Sequence, residues 1–222
     1  MTTGGRDALG LLVAGLTEFI APSRCLGCLS REDAIWCQDC YAQVQFNEPS
    51  CSRCATVGAR LHACIPVDIP IAATVAAYQY DGPVAAAIRT AKLAGAHAAW
   101  PHLAKRLADR VAIDVPDVDL VTWVTTPAKR ARRRGGDHAE AIANVVSGRT
   151  GVPSIRLLDA RATRNGDSYR YGQPWSLHGA TVALADDVVT TAATVIRAAR
   201  VLADAGAGRI VVCAIARADG RR

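Results

Sequence analysis

The sequence predicts an α/β fold: a parallel sheet covered by helices on both faces, preceded by a small cysteine-rich module. Three observations carry this. From residue 67 onward, short runs rich in Val, Ala and Ile alternate with helix-length segments, the pattern of strands joined by crossover helices. Seven of the eight cysteines fall between Cys25 and Cys64, so the composition breaks near residue 66. The charge breaks there too: residues 1–66 carry five Lys and Arg against six Asp and Glu, and residues 67–222 carry 21 against 14. The divisions are an amphipathic N-terminal helix over 1–20, a cysteine-rich module over 21–66 and an α/β domain over 67–222. Half of the 222 residues are apolar and 21% are charged, which excludes a disordered tail protein. The basic larger part suits an anionic partner.

Leu9, Leu12, Val13, Leu16, Phe19 and Ile20 recur at helical spacing. Only Arg6 and Arg24 flank them, so the helix reads as a packing element rather than one lying on a membrane. No apolar run reaches the ~18–20 residues needed to cross a bilayer. The stretch Ala8 to Ala21 is broken by Thr17 and Glu18 and lacks a small-residue cleavage site, so a signal peptide is not expected. The expected location is the cytoplasm, where reduction disfavours disulfides.

Ile71 to Tyr80 reads as a strand and Asp81-Gly82-Pro83 as a turn. Helices follow over Val84–Leu93 and Ala98–Val111, with Pro101 in the first turn of the second, where proline is tolerated. Asp119 to Thr125 reads as a strand, residues 129–134 as a basic loop and Asp137 to Ser147 as a helix. Ile155 to Leu158 is a short strand and Arg161 to Gly179 a long polar loop. Thr181 to Ala185 is a strand, Ala192 to Ala205 a helix and Ile210 to Ile215 a last strand that buries Cys213.

The cysteines form knuckles. Cys25 and Cys28 are two residues apart, as are Cys37 and Cys40, and Cys51 and Cys54. Two thiolates at that spacing reach one ion at about 2.3 Å, and two knuckles complete a tetrahedron. A redox motif or a disulfide scaffold would not be tandem in this way, so the module reads as a structural zinc site. Cys25, Cys28, Cys37 and Cys40 make the simplest set. Cys51 and Cys54 find only His62 and Cys64 downstream; either these complete a second site, or His62 is a surface residue and Cys64 solitary.

Thr181 to Thr194 carries the most chemistry. A buried strand runs into Asp186 and Asp187, then Val188 and Val189, then Thr190, Thr191, Ala192, Ala193 and Thr194 opening a helix. Ligands of parallel α/β sheets bind outside the carboxyl ends of the strands. A phosphate there meets free N–H groups and the helix dipole, with threonine hydroxyls as further donors. The two carboxylates suit ribose hydroxyls, or magnesium on a polyphosphate. The structural alternative is a turn and a helix cap, but carboxylates in a buried strand are costly without a purpose. No Walker loop and no G-x-G-x-x-G after a strand is present. Lys129, Arg130, Arg132, Arg133 and Arg134 place five cations in six positions. They fit pyrophosphate or nucleic-acid phosphates; the alternative is a solvated basic turn. Tyr169, Tyr171 and Trp175 with Arg164 and Arg170 fit either stacking on single-stranded bases or a mobile lid. His138 lies beside the basic segment, where it would help bind phosphate; the simpler reading is a surface histidine.

Residues 186–194 resemble the phosphoribosyl-pyrophosphate (PRPP) signature of type I phosphoribosyltransferases. The chain over 20–217 resembles the ComF family, including GntX-like proteins, which join a cysteine zinc module to such a domain. Tyr80-Asp81-Gly82-Pro83 and Ile88 to Lys92 resemble the family's segment after the first strand. Arg132-Arg133-Arg134-Gly135 with Ala139-Glu140 resembles its basic stretch. The resemblance implies a type I phosphoribosyltransferase-like fold, PRPP or another ribose phosphate as ligand, magnesium with it, and a link to DNA uptake and transformation. It implies that Asp186 and Asp187 hold the ribose hydroxyls or the metal, residues 188–194 the 5′-phosphate, and the basic segment the pyrophosphate. Ala192 stands where the signature has Gly, and Gly136, Asp137 and His138 stand where the basic stretch has Phe, Asn and Gln. The competing expectation is a non-catalytic accessory protein that holds single-stranded DNA with the zinc module and the basic segment.

Overall fold

The computed structural model describes residues 24–32, 34–58, 62, 64–93, 98–164 and 166–218. The N-terminal helix expected over 1–20 lies outside them. Four strands form one parallel sheet in the order β1 (Ala73–Gln79), β6 (Arg209–Arg217), β5 (Thr181–Val189), β2 (Leu120–Trp123). Strands β5 and β6 are apolar almost throughout because both faces are covered. Their side chains alternate: Ala183, Ala185, Val211, Cys213 and Ile215 enter one core, and Val182, Leu184, Ile210, Val212 and Ala214 the other.

Helices α2 (Gly82–Leu93), α3 (Ala99–Asp114) and α5 (His138–Thr150) cover the first face. Trp100, Leu103, Leu107 and Val111 of α3 recur at helical spacing and are buried there. Helix α6 (Ala193–Asp204) covers the second through Val195, Ala198, Ala199 and Leu202. The cysteine module, with its short helix α1 (Gln38–Tyr41), joins the sheet at β1. Phe46 bridges Tyr78 antiparallel, Asn47 N–H donates to Ala77 O at 3.2 Å, and Thr74 N–H to Ser52 O at 2.8 Å. The module thereby pairs the otherwise open edge of β1.

Three expectations are corrected. The basic segment is not a loop but helix α4 (Ala128–Arg134), started after Pro127 and ended by Gly135 at φ 80°. Residues 161–179 are not one long loop. Leu158–Thr163 (β3) and Gly166–Tyr171 (β4) pair antiparallel as a hairpin. Its inward residues Asp167, Tyr169 and Tyr171 alternate with the outward Ser168 and Arg170. The strand expected over 155–158 is only one bridge, Ser154 to Val121, before β3 begins. Among the described residues, no helix is long and apolar enough to cross a membrane.

Candidate functional site

Strand β5 continues through both aspartates to Val189, so their side chains leave opposite faces of the sheet. Asp187 turns toward α2 and α5. Its Oδ2 lies 2.6 Å from Lys92 Nζ and 2.7 Å from His138 Nε2. His138 is buried, 7% exposed, and stacks on Trp100 with ring centroids 5.1 Å apart. The surface reading of His138 is therefore wrong: it opens α5 directly behind Asp137, which turns the ring inward. Asp137 caps α5 by accepting from Ala139 N–H at 3.2 Å, and its other oxygen accepts from Thr126 N–H at 2.7 Å. Burial raises the Asp187 carboxyl, but the His138 contact and Lys92 outweigh it and hold it down at about 2. Its contribution to stability is present above the ordinary 3.8 and is lost as pH falls toward 2.

Asp186 differs. It has no ion pair among the described residues, and its Oδ1 accepts from Asp187 N–H at 2.9 Å. Burial and the adjacent Asp187 charge push its carboxyl well above the usual range. The Tyr169 side chain of β4 approaches it; burial, then the charges of Asp167 and Asp186, raise the phenol. The Tyr169 hydroxyl is buried without a hydrogen-bond partner among the described residues. Asp186 is thus the free carboxylate of the pair and Asp187 the neutralised one.

Beyond β5, Thr190 and Thr191 are exposed and Thr194 is half-buried. Val188 and Val189 are strand residues; Val189 is buried in the core, so only its backbone can face a ligand, while Val188 is half-buried against the opposite core. No side chain caps α6, which leaves its first-turn N–H groups open. Ala192, the residue before α6, has φ 62°. The left-handed region costs a non-glycine residue on the order of 1–2 kcal/mol. Ala192→Gly removes that strain but gives up a buried methyl and adds chain entropy, so denaturation should show a change under ~1 kcal/mol. Ala192→Val adds a β-branch at positive φ and should cost ~2 kcal/mol or more. Equal stability for the Val and Gly variants would show that the turn relaxes away from this conformation.

Arg217, at the end of β6 and 8% exposed, braces the turn. Its Nη1 donates to Val189 O at 2.9 Å, to Thr190 O and to Ala218 O at 2.9 Å. Helix α4 faces the hairpin instead. Arg130 forms two bonds with Asp167, at 2.7 and 3.2 Å, and Arg197 of α6 donates to Asp167 O at 2.9 Å. Asp167 thus ties the hairpin to helices on both sides of the turn. Lys129, Arg132 and Arg133 are exposed, and Arg134 is half-buried. Tyr171 meets Trp175 edge-on at 6.2 Å, and Trp175 is 41% exposed.

Two metal-competent clusters stand in the cysteine module. Cys25, Cys28, Cys37 and Cys40 bring their sulfurs within 4.8 Å of one another; so do Cys51, Cys54, His62 and Cys64 with three sulfurs and a ring nitrogen. Both donor sets fit zinc: four soft donors converge without a vacant position. Burial raises the Cys25 and Cys51 thiols, but backbone N–H donors outweigh it and bring both to about 6. Those donors come from Cys28, Cys37 and Gly27 for the first, and from Cys54 and Arg53 for the second. His62 and Cys64 belong together with the third knuckle rather than lying apart from it.

Lys92 and Arg217 were not assigned roles from the sequence, His138 was not paired with Asp187, and no spacing signals any of the three. They sit in three separate elements and meet β5 only through the fold. A cavity of about 220 Å³, lined by Arg53, Ile71, Gly208 and Arg209 among others, lies at the other end of the sheet and shares no residue with this site.

No protein-family model and no curated protein matches the chain. Solved structures match parts of it. A purine phosphoribosyltransferase from Pyrococcus horikoshii Ot3 is 20% identical, covering 54% of this chain and 72% of that one, with a TM-score of 0.37. An orotate phosphoribosyltransferase from Aeropyrum pernix is 16% identical, covering 56% and 75%, with a TM-score of 0.36. A hypothetical protein from Neisseria gonorrhoeae with bound ppGpp is 12% identical, covering 53% and 66%, with a TM-score of 0.38.

Proposed function

We propose that this chain binds PRPP where β5 gives way to α6 and is a phosphoribosyltransferase-like protein of the ComF type. One observation carries the reading. Asp186 is a half-buried carboxylate without an ion pair among the described residues, set directly before an exposed threonine turn and an uncapped helix N-terminus. Ribose hydroxyls donate to such a carboxylate, and a 5′-phosphate accepts from the turn N–H groups and from Thr190, Thr191 and Thr194. Lys129, Arg132 and Arg133 of α4 supply cations for the diphosphate and for charge developing as pyrophosphate leaves. Magnesium, when bound with PRPP, would neutralise diphosphate charge. The ComF resemblance adds a role in DNA uptake. Calorimetry with PRPP, with and without magnesium, tests the reading. Expected is saturable binding, strengthened by magnesium and weaker for ribose 5-phosphate. Absence of binding to both ligands would overturn it.

A second reading, an accessory protein that holds single-stranded DNA, is favoured by the exposed cations of α4 and the exposed Trp175. Stacking there falls to Trp175, because the Tyr169 and Tyr171 hydroxyls are buried. Replacing Lys129, Arg132 and Arg133 with Gln would flatten the salt dependence of DNA binding on this reading.

A further inference from the structure

We propose that the Cys51, Cys54, His62 and Cys64 centre controls the anion affinity of the turn over Thr190–Thr194, acting through Thr56 and Arg217. This rests on the reading of that turn as the ribose-phosphate site.

The connection is a continuous line of polar contacts. Thr56 belongs to the third knuckle itself: its carbonyl accepts from Cys51 N–H at 2.9 Å, and Ala55 N–H donates to Cys51 O at 2.7 Å. The Thr56 hydroxyl lies 3.3 Å from Cys54 Sγ on one side and 3.3 Å from Arg217 Nη2 on the other. The other Arg217 terminal nitrogen holds the Val189 and Thr190 carbonyls. A guanidinium is planar and stiff, so its two ends move together.

Metal occupancy acts at both ends of this line. Ligation folds the knuckle and so fixes where Thr56 stands. A metal-bound sulfur carries no proton and can only accept. It takes the single Thr56 hydroxyl proton, which turns the oxygen lone pairs toward Arg217. Arg217 then grips the two carbonyls that lead into the turn. In a planar trans peptide the N–H points opposite to the C=O. Holding Thr190 O against Arg217 therefore aims the Thr191 N–H away from it. With the centre empty, the knuckle loosens, the guanidinium loses its anchor, and the turn donors no longer converge.

PRPP titration of the full chain tests this, with zinc per chain measured in parallel. Cys64→Ser should lose one zinc equivalent and bind PRPP ~10-fold more weakly, within the usual range of coupling between sites. Thr56→Val keeps every metal ligand and should retain its zinc, yet weaken PRPP by a similar factor. The double variant should bind no more weakly than either single one, because both cut the same line. Thr56→Ser, which restores the hydroxyl, should bind within twofold of the parent. Independently of any ligand, stepwise zinc withdrawal should shift the Thr190 and Thr191 amide resonances in the parent protein. Wild-type affinity in Thr56→Val, fully additive losses in the double variant, or unmoved amide resonances would each overturn the coupling. A parent protein that binds no PRPP while those resonances still move would defeat the ribose-phosphate reading and leave the coupling standing.

Discussion

Replacing Asp186 by asparagine is expected to abolish PRPP binding and, at neutral pH, to raise the melting temperature. The two effects share one cause. Burial and the neighbouring Asp187 charge disfavour the ionised Asp186 carboxyl. Its native value therefore lies above its unfolded one, so stability falls as pH rises from 3.8 through the raised native value. Asparagine removes that penalty. Relieving a functional group of this kind returns on the order of 1 kcal/mol, which at this size is a rise of ~2–4 °C. The ligand sees the opposite. Two ribose hydroxyls lose a charged acceptor, at about 1.5–3 kcal/mol each, so affinity should fall by at least ~100-fold. Asp187→Asn is the contrast. It leaves Lys92 and His138 without their shared carboxylate and should destabilise by ~3–5 kcal/mol. Calorimetry and thermal melts of both variants decide the point. If Asp186→Asn lowers the melting temperature and leaves PRPP affinity unchanged, Asp186 is a structural residue and the site lies elsewhere.

Removing metal from the two cysteine clusters is expected to unfold the module while the parallel sheet keeps its secondary structure. The module has no apolar core of its own: Val44 and Ile65 join the cores on the two faces of the sheet, and Leu26, Trp36 and Phe46 pack at the margin of the first. Ligation at a structural zinc site contributes about 10 kcal/mol or more, which is then the folding energy of the segment. Elemental analysis should find two zinc ions per chain, one for each cluster. Chelation should expose residues 34–58 to protease and red-shift the emission of Trp36, which is half-buried in the module. Acid should act in the same direction, because the ligands must be deprotonated. A module that stays protease-resistant and melts unchanged without metal would show that packing alone folds it.

How much of this was legible beforehand follows from the range of each interaction. The strands of the sheet were readable because burial on both faces demands unbroken apolar runs, as in Ile210 to Ile215. The knuckles were readable because the reach of two thiolates to one ion is a local constraint on spacing. The strand-to-turn-to-helix passage over 181–194 was readable in outline, from an apolar run, a small-residue turn and a helix-length segment, but the strand runs on to Val189 instead of ending at Ala185, and the positive φ at Ala192 shows only in the structure. Helix α4 was not, since its seven residues Ala128–Arg134 carry no apolar stripe and it is delimited by Pro127 and Gly135. The hairpin was not, because Asp167, Tyr169 and Tyr171 gain their inward face only by meeting α4, α6 and the core.

From the order of its residues alone, this chain determined a thiolate-rich module, a parallel sheet and a threonine-rich turn at a strand end. Only the tertiary structure decided which aspartate is free. Lys92 and His138 arrive from separate helices to neutralise Asp187 and leave Asp186 open, and Arg217 comes from a third element to hold the turn. Those pairings depend on distances between elements far apart in the chain, which periodicity within any one of them does not encode.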